Sequence, residues 1–139
     1  MKFQDIPNEV FEATVRKNFA DTDLEGAFYA KIAGASHPNR DGTSRTKIIG
    51  KCDVGDPLEF RPEPENEFDP DAIAVTRLGT DEQLGYLDAR LASEVARDFR
   101  RYGPCRVGLF RHPDYHPGTG AIVGAVIYVL KLSSEKLEG

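Results

Sequence analysis

Residues 62–75 read PEPENEFDPDAIAV, an acidic, proline-containing segment with one phenylalanine that passes directly into an apolar run. Asn66, Asp69 and Asp71 favour a turn, because short polar side chains bond to neighbouring backbone amides. The run that follows, AIAVTRL (72–78), is typical of a buried strand. The segment therefore predicts a loop that leads into the core, and the open question is whether this loop is only a turn or also a binding surface.

The sequence on either side of the loop predicts a small, mainly β domain. Alternating or β-branched apolar residues indicate strands at 27–34, 56–62, 72–78, 82–88, 105–112 and 121–132. Gly79-Thr80-Asp81 is expected to join two of them in a hairpin, and residues 112–120 are expected to form a turn-rich loop. About six strands suit a small barrel or a curved α+β sheet.

One or two α-helices are expected beside the strands. Residues 7–20 carry apolar side chains near helical spacing, and a second helix should start after Asp88 as N-cap and stop at Gly103-Pro104. Residues 44–52 are ambiguous, since Ser44 is able to cap a short helix there. Tyr86, inside the strand 82–88, is expected to be a core residue, and the alternative is that it lines the binding groove.

Length and composition indicate one ordinary globular domain. The chain has 139 residues, 40% of them apolar and 29% charged. It lacks an apolar run long enough to cross a membrane, and residues 1–18 lack the apolar segment of a signal peptide, so a cytoplasmic location and no membrane partner are expected. Cys52 and Cys105 stand far apart without metal-ligand spacing and are predicted to be reduced core residues.

The charge is unevenly distributed along the chain. A net charge of −5 argues against a broad electrostatic grip on nucleic acid. Basic residues nevertheless dominate 31–51 and 90–111, whereas acidic residues concentrate in 53–71. This distribution allows a local basic face beside an acidic loop, and a solvated mixture of charges is the alternative.

The loop and its neighbours resemble the HIRAN domain family. The motifs that carry the resemblance are GDPLEF (55–60), EPENEFDPDAIAV (63–75) and LGYL (84–87), followed by the helix after Asp88. The resemblance covers roughly residues 27–130 and is that of a stand-alone, bacterial-type member. It implies an OB-like barrel at 27–132, which leaves a helical extension at 1–26 and a disordered tail at 133–139. In eukaryotes the family is a module of SWI/SNF-type ATPases in DNA repair that captures the 3′-hydroxyl end of single-stranded DNA.

The resemblance also implies roles for individual residues. Asp69 would accept a hydrogen bond from the 3′-hydroxyl, and Phe68, where the family usually has tyrosine, would support the terminal base. Asn66 would bond a base edge or the loop backbone. The basic residues expected to contact phosphates are Arg40, Arg45 and Lys47. The expected partners are single-stranded DNA ends and a protein such as a helicase or nuclease, with no catalytic residue, cofactor or metal.

Two other functions stay open at the level of sequence. OB-like barrels also bind proteins, and the acidic loop and the net charge of −5 suit a basic protein partner. If the loop is only a structural turn, Phe68 is a plug in the core. A metal-dependent nuclease would use Glu67, Asp69 and Asp71 to hold Mg²⁺. His112 and His116 lie four apart in a proline-rich loop, which is poor metal-ligand spacing, and Arg97, Arg100 and Arg101 are expected to be solvated charge.

Overall fold

The computed structural model describes residues 6–20 and 24–133, and its centre is a closed barrel of six strands. The strands run Leu24–Ala33 (β1), Pro57–Pro62 (β2), Ile73–Arg77 (β3), Gln83–Leu87 (β4), Arg106–Tyr115 (β5) and Ile122–Leu132 (β6). Their order around the barrel is β1-β4-β3-β2-β5-β6, and every pairing is antiparallel. The predicted barrel of about six strands is therefore confirmed. Strand β5 extends over residues 113–115, which the sequence predicts to be part of a loop.

Three helices flank the barrel in the described residues, one more than the largest number expected. They run Asn8–Asn18 (α1), Arg45–Lys51 (α2) and Ala89–Tyr102 (α3). The ambiguous segment 44–52 becomes α2 because the Ser44 hydroxyl accepts a hydrogen bond from the amide of Lys47. Asp88 caps α3 in the same way through the amide of Leu91.

The barrel interior is filled by aliphatic side chains together with Phe110. Ile49, Ile73, Leu84 and Ile127 are among the most deeply buried residues, and the apolar face of α3 packs against the same core. A second, smaller cluster lies outside the barrel, where Phe11 and Val15 of α1 pack on Leu109, Tyr128 and Leu130. The helix of the predicted extension is therefore joined to the barrel by apolar contacts.

Gly85 lets strands β1 and β4 approach closely enough to close the barrel. Its φ is 154°, and a Cβ atom added there would lie 2.5 Å from the carbonyl oxygen of Ala33 and 2.6 Å from Cγ2 of Ile32. Contacts that short require the backbone to shift. The glycine of the LGYL motif is thus explained by strand packing.

Other predictions concern the cysteines and the chain ends. Cys52 and Cys105 are buried free thiols, and burial raises the pKa of Cys52 to about 11. Strand β1 starts at Leu24, slightly before the expected start of the barrel at residue 27, while residues 134–139 of the expected disordered tail lie outside the described part of the chain. Within residues 6–20 and 24–133, the helices are too short or too polar to cross a membrane.

Candidate nucleic-acid interface

A cleft of about 410 Å³ opens between the loop 63–72, helix α2, strand β4 and the start of α3. It is lined by Arg40, Arg45, Asn66, Glu67, Phe68, Asp69, Ala72, Tyr86, Leu87 and Ala89. Five of the six residues expected to contact DNA are among them, although they come from two separate stretches of the sequence. The fold brings the acidic loop and two of the basic residues to the same place.

The loop is held in one conformation by its own side chains. The Asn66 carbonyl Oδ1 accepts hydrogen bonds from the amides of Phe68 (2.9 Å) and Asp69 (3.0 Å). Backbone hydrogen bonding between Glu63 N and Ala72 O, at 2.9 Å, closes the base of the loop. Of the two roles considered for Asn66, the structure shows bonding to the loop backbone. The hydrogen bonds that form the turn therefore also hold the backbone of Phe68 and Asp69 in position.

Phe68 stands out from the loop into solvent. Its side chain is 90% exposed, although it is the only aromatic residue of the acidic segment 62–75. A plug in the core would be buried, so that alternative is wrong. An aromatic ring held at the rim of a cleft, on a loop with fixed backbone, offers a flat face for stacking.

Asp69 lies next to this ring and keeps part of its carboxylate unused. Oδ1 accepts a hydrogen bond from the amide of Asp71 at 2.8 Å, whereas Oδ2 has no donor among the described residues. The next aspartate differs, because Asp71 Oδ1 pairs with Arg100 Nη1 at 3.1 Å. Asp69 lines the cleft and keeps one carboxylate oxygen without a donor among the described residues, while Asp71 is already engaged by a cation.

Arg45 forms the opposite, basic side of the cleft and is held rigidly. The residue is only 8% exposed. Its Nε donates to Asn39 Oδ1 at 2.7 Å and its Nη1 donates to the carbonyl oxygen of Gly34 at 2.8 Å. Nη2 has no acceptor within the part of the chain that the structure describes. A guanidinium fixed by two hydrogen bonds with one nitrogen unpaired is well suited to bind an anion.

Tyr86 forms a wall of the cleft, so the expectation that it is a core residue is wrong. The Arg45 guanidinium carbon lies 5.3 Å from the centre of its ring, and its hydroxyl donates to Glu63 Oε1 at 2.9 Å. The same Glu63 oxygen accepts from Asn66 Nδ2 at 3.0 Å. Glu63 therefore links the loop to β4 and to the ring under Arg45. The sequence did offer one indication, since a partly buried tyrosine hydroxyl needs a partner and Glu63 belongs to the neighbouring motif.

The remaining basic residues separate into two positions. Arg40 is exposed, lines the cleft, and has no carboxylate within 4.0 Å among the described residues. Lys47 lies instead in a neighbouring hollow with Asp81 and Glu82, so the structure does not place it in the cleft. Residues two apart on a helix point about 200° apart, so Arg45 and Lys47 cannot face the same side of α2.

The charges that line the cleft balance. Arg40 and Arg45 are opposed by Glu67 and Asp69, so the formal charge of the lining is zero. Such a site cannot attract a polyanion by field strength alone. It is able to discriminate by position, because Arg45 stands on α2 and Asp69 on the loop, while Arg40 also lines a hollow beside Glu63 and Glu65 of that loop.

The acidic side chains do not form a metal site in residues 6–20 and 24–133, where no group of three or more metal-ligating side chains is found. The Mg²⁺ arrangement considered for Glu67, Asp69 and Asp71 is also opposed by the Arg100 pair on Asp71. His116 Nδ1 accepts from the amides of Gly118 and Thr119, which gives it a role in its own turn.

The closed six-stranded barrel with a cleft beside the loop 63–72 places the protein among small β-barrel domains. The sequence identifies the family within that class. The model of the HIRAN domain matches residues 25–103, so the chain belongs to the HIRAN domain family. Comparison with curated proteins gave no match.

Two solved structures share the fold. The HIRAN domain of human HLTF has a TM-score of 0.59 and 16% identity, over 84% of this chain and 83% of that one. A protein from Lactobacillus plantarum has a TM-score of 0.52 and 16% identity, over 76% of this chain and 99% of that one. At this identity the likeness concerns the fold alone.

Proposed function

We propose that this protein binds single-stranded DNA in the cleft and recognises its 3′-hydroxyl end without catalysing a reaction. The observation that carries the proposal is the pair formed by Phe68, 90% exposed, and Asp69, whose Oδ2 has no donor among the described residues. Both side chains stand on a loop that is fixed by its own hydrogen bonds. Membership of the HIRAN family supports a nucleic-acid partner in general.

The Asp69 carboxylate favours DNA binding only at the end of a strand. Asp69 would repel a phosphate, whereas a terminal 3′-hydroxyl is a donor that a carboxylate accepts. A strand that continues, or one that ends in a 3′-phosphate, would place negative charge against Asp69. The same residue therefore binds the correct end and rejects the others.

The other residues of the cleft complete the recognition. Phe68 stacks on the terminal base, a contact worth about 1–3 kcal/mol. The free Nη2 of Arg45 and the exposed Arg40 contact the last phosphates. Lys47 has no part in this arrangement, since it lies in the neighbouring hollow. The balanced charge of the cleft favours modest affinity with high dependence on the end group.

A repair or DNA-processing context and a helicase or nuclease partner belong to the proposal through the family resemblance. An interaction module for a protein is the competing function. The two differ in a simple observable, because only the DNA-binding function makes affinity depend on the chemistry of the 3′ end.

The test is fluorescence anisotropy with a 5′-labelled single strand that ends either in a 3′-hydroxyl or in a 3′-phosphate. The informative variant is Asp69→Asn, because asparagine keeps an Oδ1 acceptor for the amide of Asp71 and removes the charge. Lys47→Gln serves as the control for loss of a charged residue outside the cleft. We expect the wild type and Lys47→Gln to prefer the 3′-hydroxyl strand and Asp69→Asn to bind both strands more equally.

Equal binding of both strands by the wild type would refute end recognition. Absence of any single-strand binding at low salt would refute the nucleic-acid function and favour the protein-interaction function.

A further inference from the structure

Helix α3 carries a row of arginines that the cleft does not use. Arg90, Arg97 and Arg101 are exposed and are spaced seven and four residues apart. At 3.6 residues per turn they fall within about 40° of one another around the helix axis. They lie opposite the centre of the buried face, which is formed by Leu91, Ala92, Val95 and Ala96.

These three arginines have no ion-pair partner among the described residues, and the reason lies in the acids of the same helix. Glu94 and Asp98 are both occupied by Arg106 of β5, at 3.4 and 3.0 Å, and Lys131 of β6 lies 3.8 Å from Asp98. The Arg106 side chain is 3% exposed and draws Asp98, 17% exposed, toward the barrel, while Glu94 pairs with Arg106 and keeps half of its side chain exposed. The exposed row of α3 is therefore left with a net positive charge in a protein whose net charge is −5.

The row is continuous with the cleft. Ala89 lines the cleft, and Arg90 is the next residue of the helix. Arg100, on the side of α3 that faces the loop, pairs with Asp71 at 3.1 Å, although this arginine was expected to be solvated. This pair is exposed and contributes little energy, but it shows that the loop runs beside the helix. The arginine row lies about a quarter of a turn from Ala89 and Arg100, toward solvent.

We propose that Arg90, Arg97 and Arg101 form a phosphate-binding track that holds the strand on the 5′ side of the terminal nucleotide. This inference rests on the proposed function of the cleft. The occupant is a polyanion with regularly spaced charges, because the row is extended, cationic and lacks apolar residues that a protein partner would bury. A single strand that leaves a site at Ala89 meets Arg90 first.

The geometry sets the length of strand that the track holds. Arg90 and Arg101 are separated by about 17 Å along the helix axis, at about 1.5 Å per residue. A stacked strand advances about 3.4 Å per nucleotide, so the row spans about five nucleotides, and fewer if the strand is extended. The track therefore matters for strands longer than those that fill the cleft alone.

The experiment compares 5′-labelled strands of 4 and 12 nucleotides that end in a 3′-hydroxyl, over a range of salt concentrations. The track variant carries Arg90→Gln, Arg97→Gln and Arg101→Gln, since glutamine keeps helix propensity and removes the charges. A control variant with Arg16→Gln, Lys17→Gln and Lys47→Gln has the same net charge and leaves both cleft and track intact. A third variant replaces the three track arginines by lysine.

We expect the wild type to bind the 12-mer more tightly than the 4-mer, and the track variant to lose that difference. For the 12-mer, the slope of log K against log salt should fall by about 2 in the track variant, since each phosphate contact on a single strand contributes about 0.7. The control and the lysine variant should behave like the wild type. The 4-mer affinity and the preference for the 3′-hydroxyl should be unchanged in the track variant.

An unchanged length dependence and salt slope in the track variant would overturn the track while leaving the cleft function intact. An equal loss in the control variant would also overturn it, because net charge alone would then explain the effect. If the wild type shows no preference for the 3′-hydroxyl but its track-dependent gain with length persists, the cleft proposal fails and the track stands. No binding of the 12-mer would overturn both.

Discussion

Replacement of Phe68 by alanine separates binding from stability more cleanly than any other change in the cleft. The side chain is 90% exposed, so the folded protein gains almost nothing from its burial. Its backbone amide, which donates to Asn66 Oδ1 at 2.9 Å, remains in the variant. Substitutions at such exposed positions usually change stability by no more than about 0.5 kcal/mol.

The expected loss of affinity is much larger than this change in stability. Loss of one base–aromatic stack costs about 1–3 kcal/mol, which corresponds to roughly 5- to 150-fold weaker binding of a 3′-hydroxyl strand. Phe68→Tyr keeps the ring and should bind within about twofold of the wild type, because the stacking face is retained. Leu78→Ala is the matched control, since Leu78 is also an exposed large apolar residue, at 56%, and does not line the cleft.

Two assays on the same samples decide the matter. Urea denaturation measures the free energy of unfolding, and anisotropy measures the affinity for the labelled strand. Unchanged affinity of Phe68→Ala would refute the argument that the exposed ring is a stacking surface. A loss of affinity that appears equally in Leu78→Ala would refute it as well, because the effect would then not belong to the cleft.

Three further predictions follow from other contacts. Gly85→Ala should lower the free energy of unfolding by about 2–4 kcal/mol in urea denaturation, because the new methyl group meets the Ala33 carbonyl at 2.5 Å and the positive φ disfavours alanine. Gly79→Ala, also at positive φ but with open space around it, should lower it by about 1 kcal/mol, and equal losses of stability in the two variants would contradict the packing argument. Asn39→Ala removes the acceptor that holds Arg45 Nε at 2.7 Å and should weaken DNA binding several-fold. Unaltered affinity in an anisotropy titration would show that Arg45 does not need this hydrogen bond to bind DNA. Burial raises the pKa of the Cys52 thiol to about 11, so at pH 8 the folded protein contains less Cys52 thiolate than the unfolded chain. Alkylation of Cys52 should therefore be slower in the native state than in urea, and equal rates measured by mass spectrometry would contradict this prediction.

The sequence predicted local structure well where the pattern is local. Ser44 and Asp88 cap helices because the caps depend on residues three positions away. The loop conformation is also local, since Asn66 bonds to amides two and three residues further on. The predicted strand β5 is too short at its C-terminal end. A proline-rich segment favours a turn, but pairing with β6, as between Tyr115 and Ile122, keeps residues 113–115 in the strand.

The cleft was predicted only in part, because its members lie far apart in the chain. The family resemblance named five residues that line it, but nothing local distinguished Arg45 from Lys47, which helical geometry sends to different sides of α2. The strand position of Tyr86 predicts a core residue, because strand residues usually pack there. The hydroxyl bond to Glu63 and the stacking under Arg45 arise from the pairing of β4 with its neighbours.

By itself the sequence determined the helix caps, the self-bonded loop and the apolar strands, since each depends on residues within a few positions of one another. Only the tertiary structure decided which polar groups remain available. Asp71 is engaged by Arg100 and Asp69 keeps a free oxygen, although both occur in the same segment. Arg90, Arg97 and Arg101 of α3 have no ion-pair partner among the described residues, because Arg106 and Lys131, from two strands, take up the acids of that helix. Availability of a charged group depends on neighbours from distant parts of the chain, and closing the barrel brings those neighbours together.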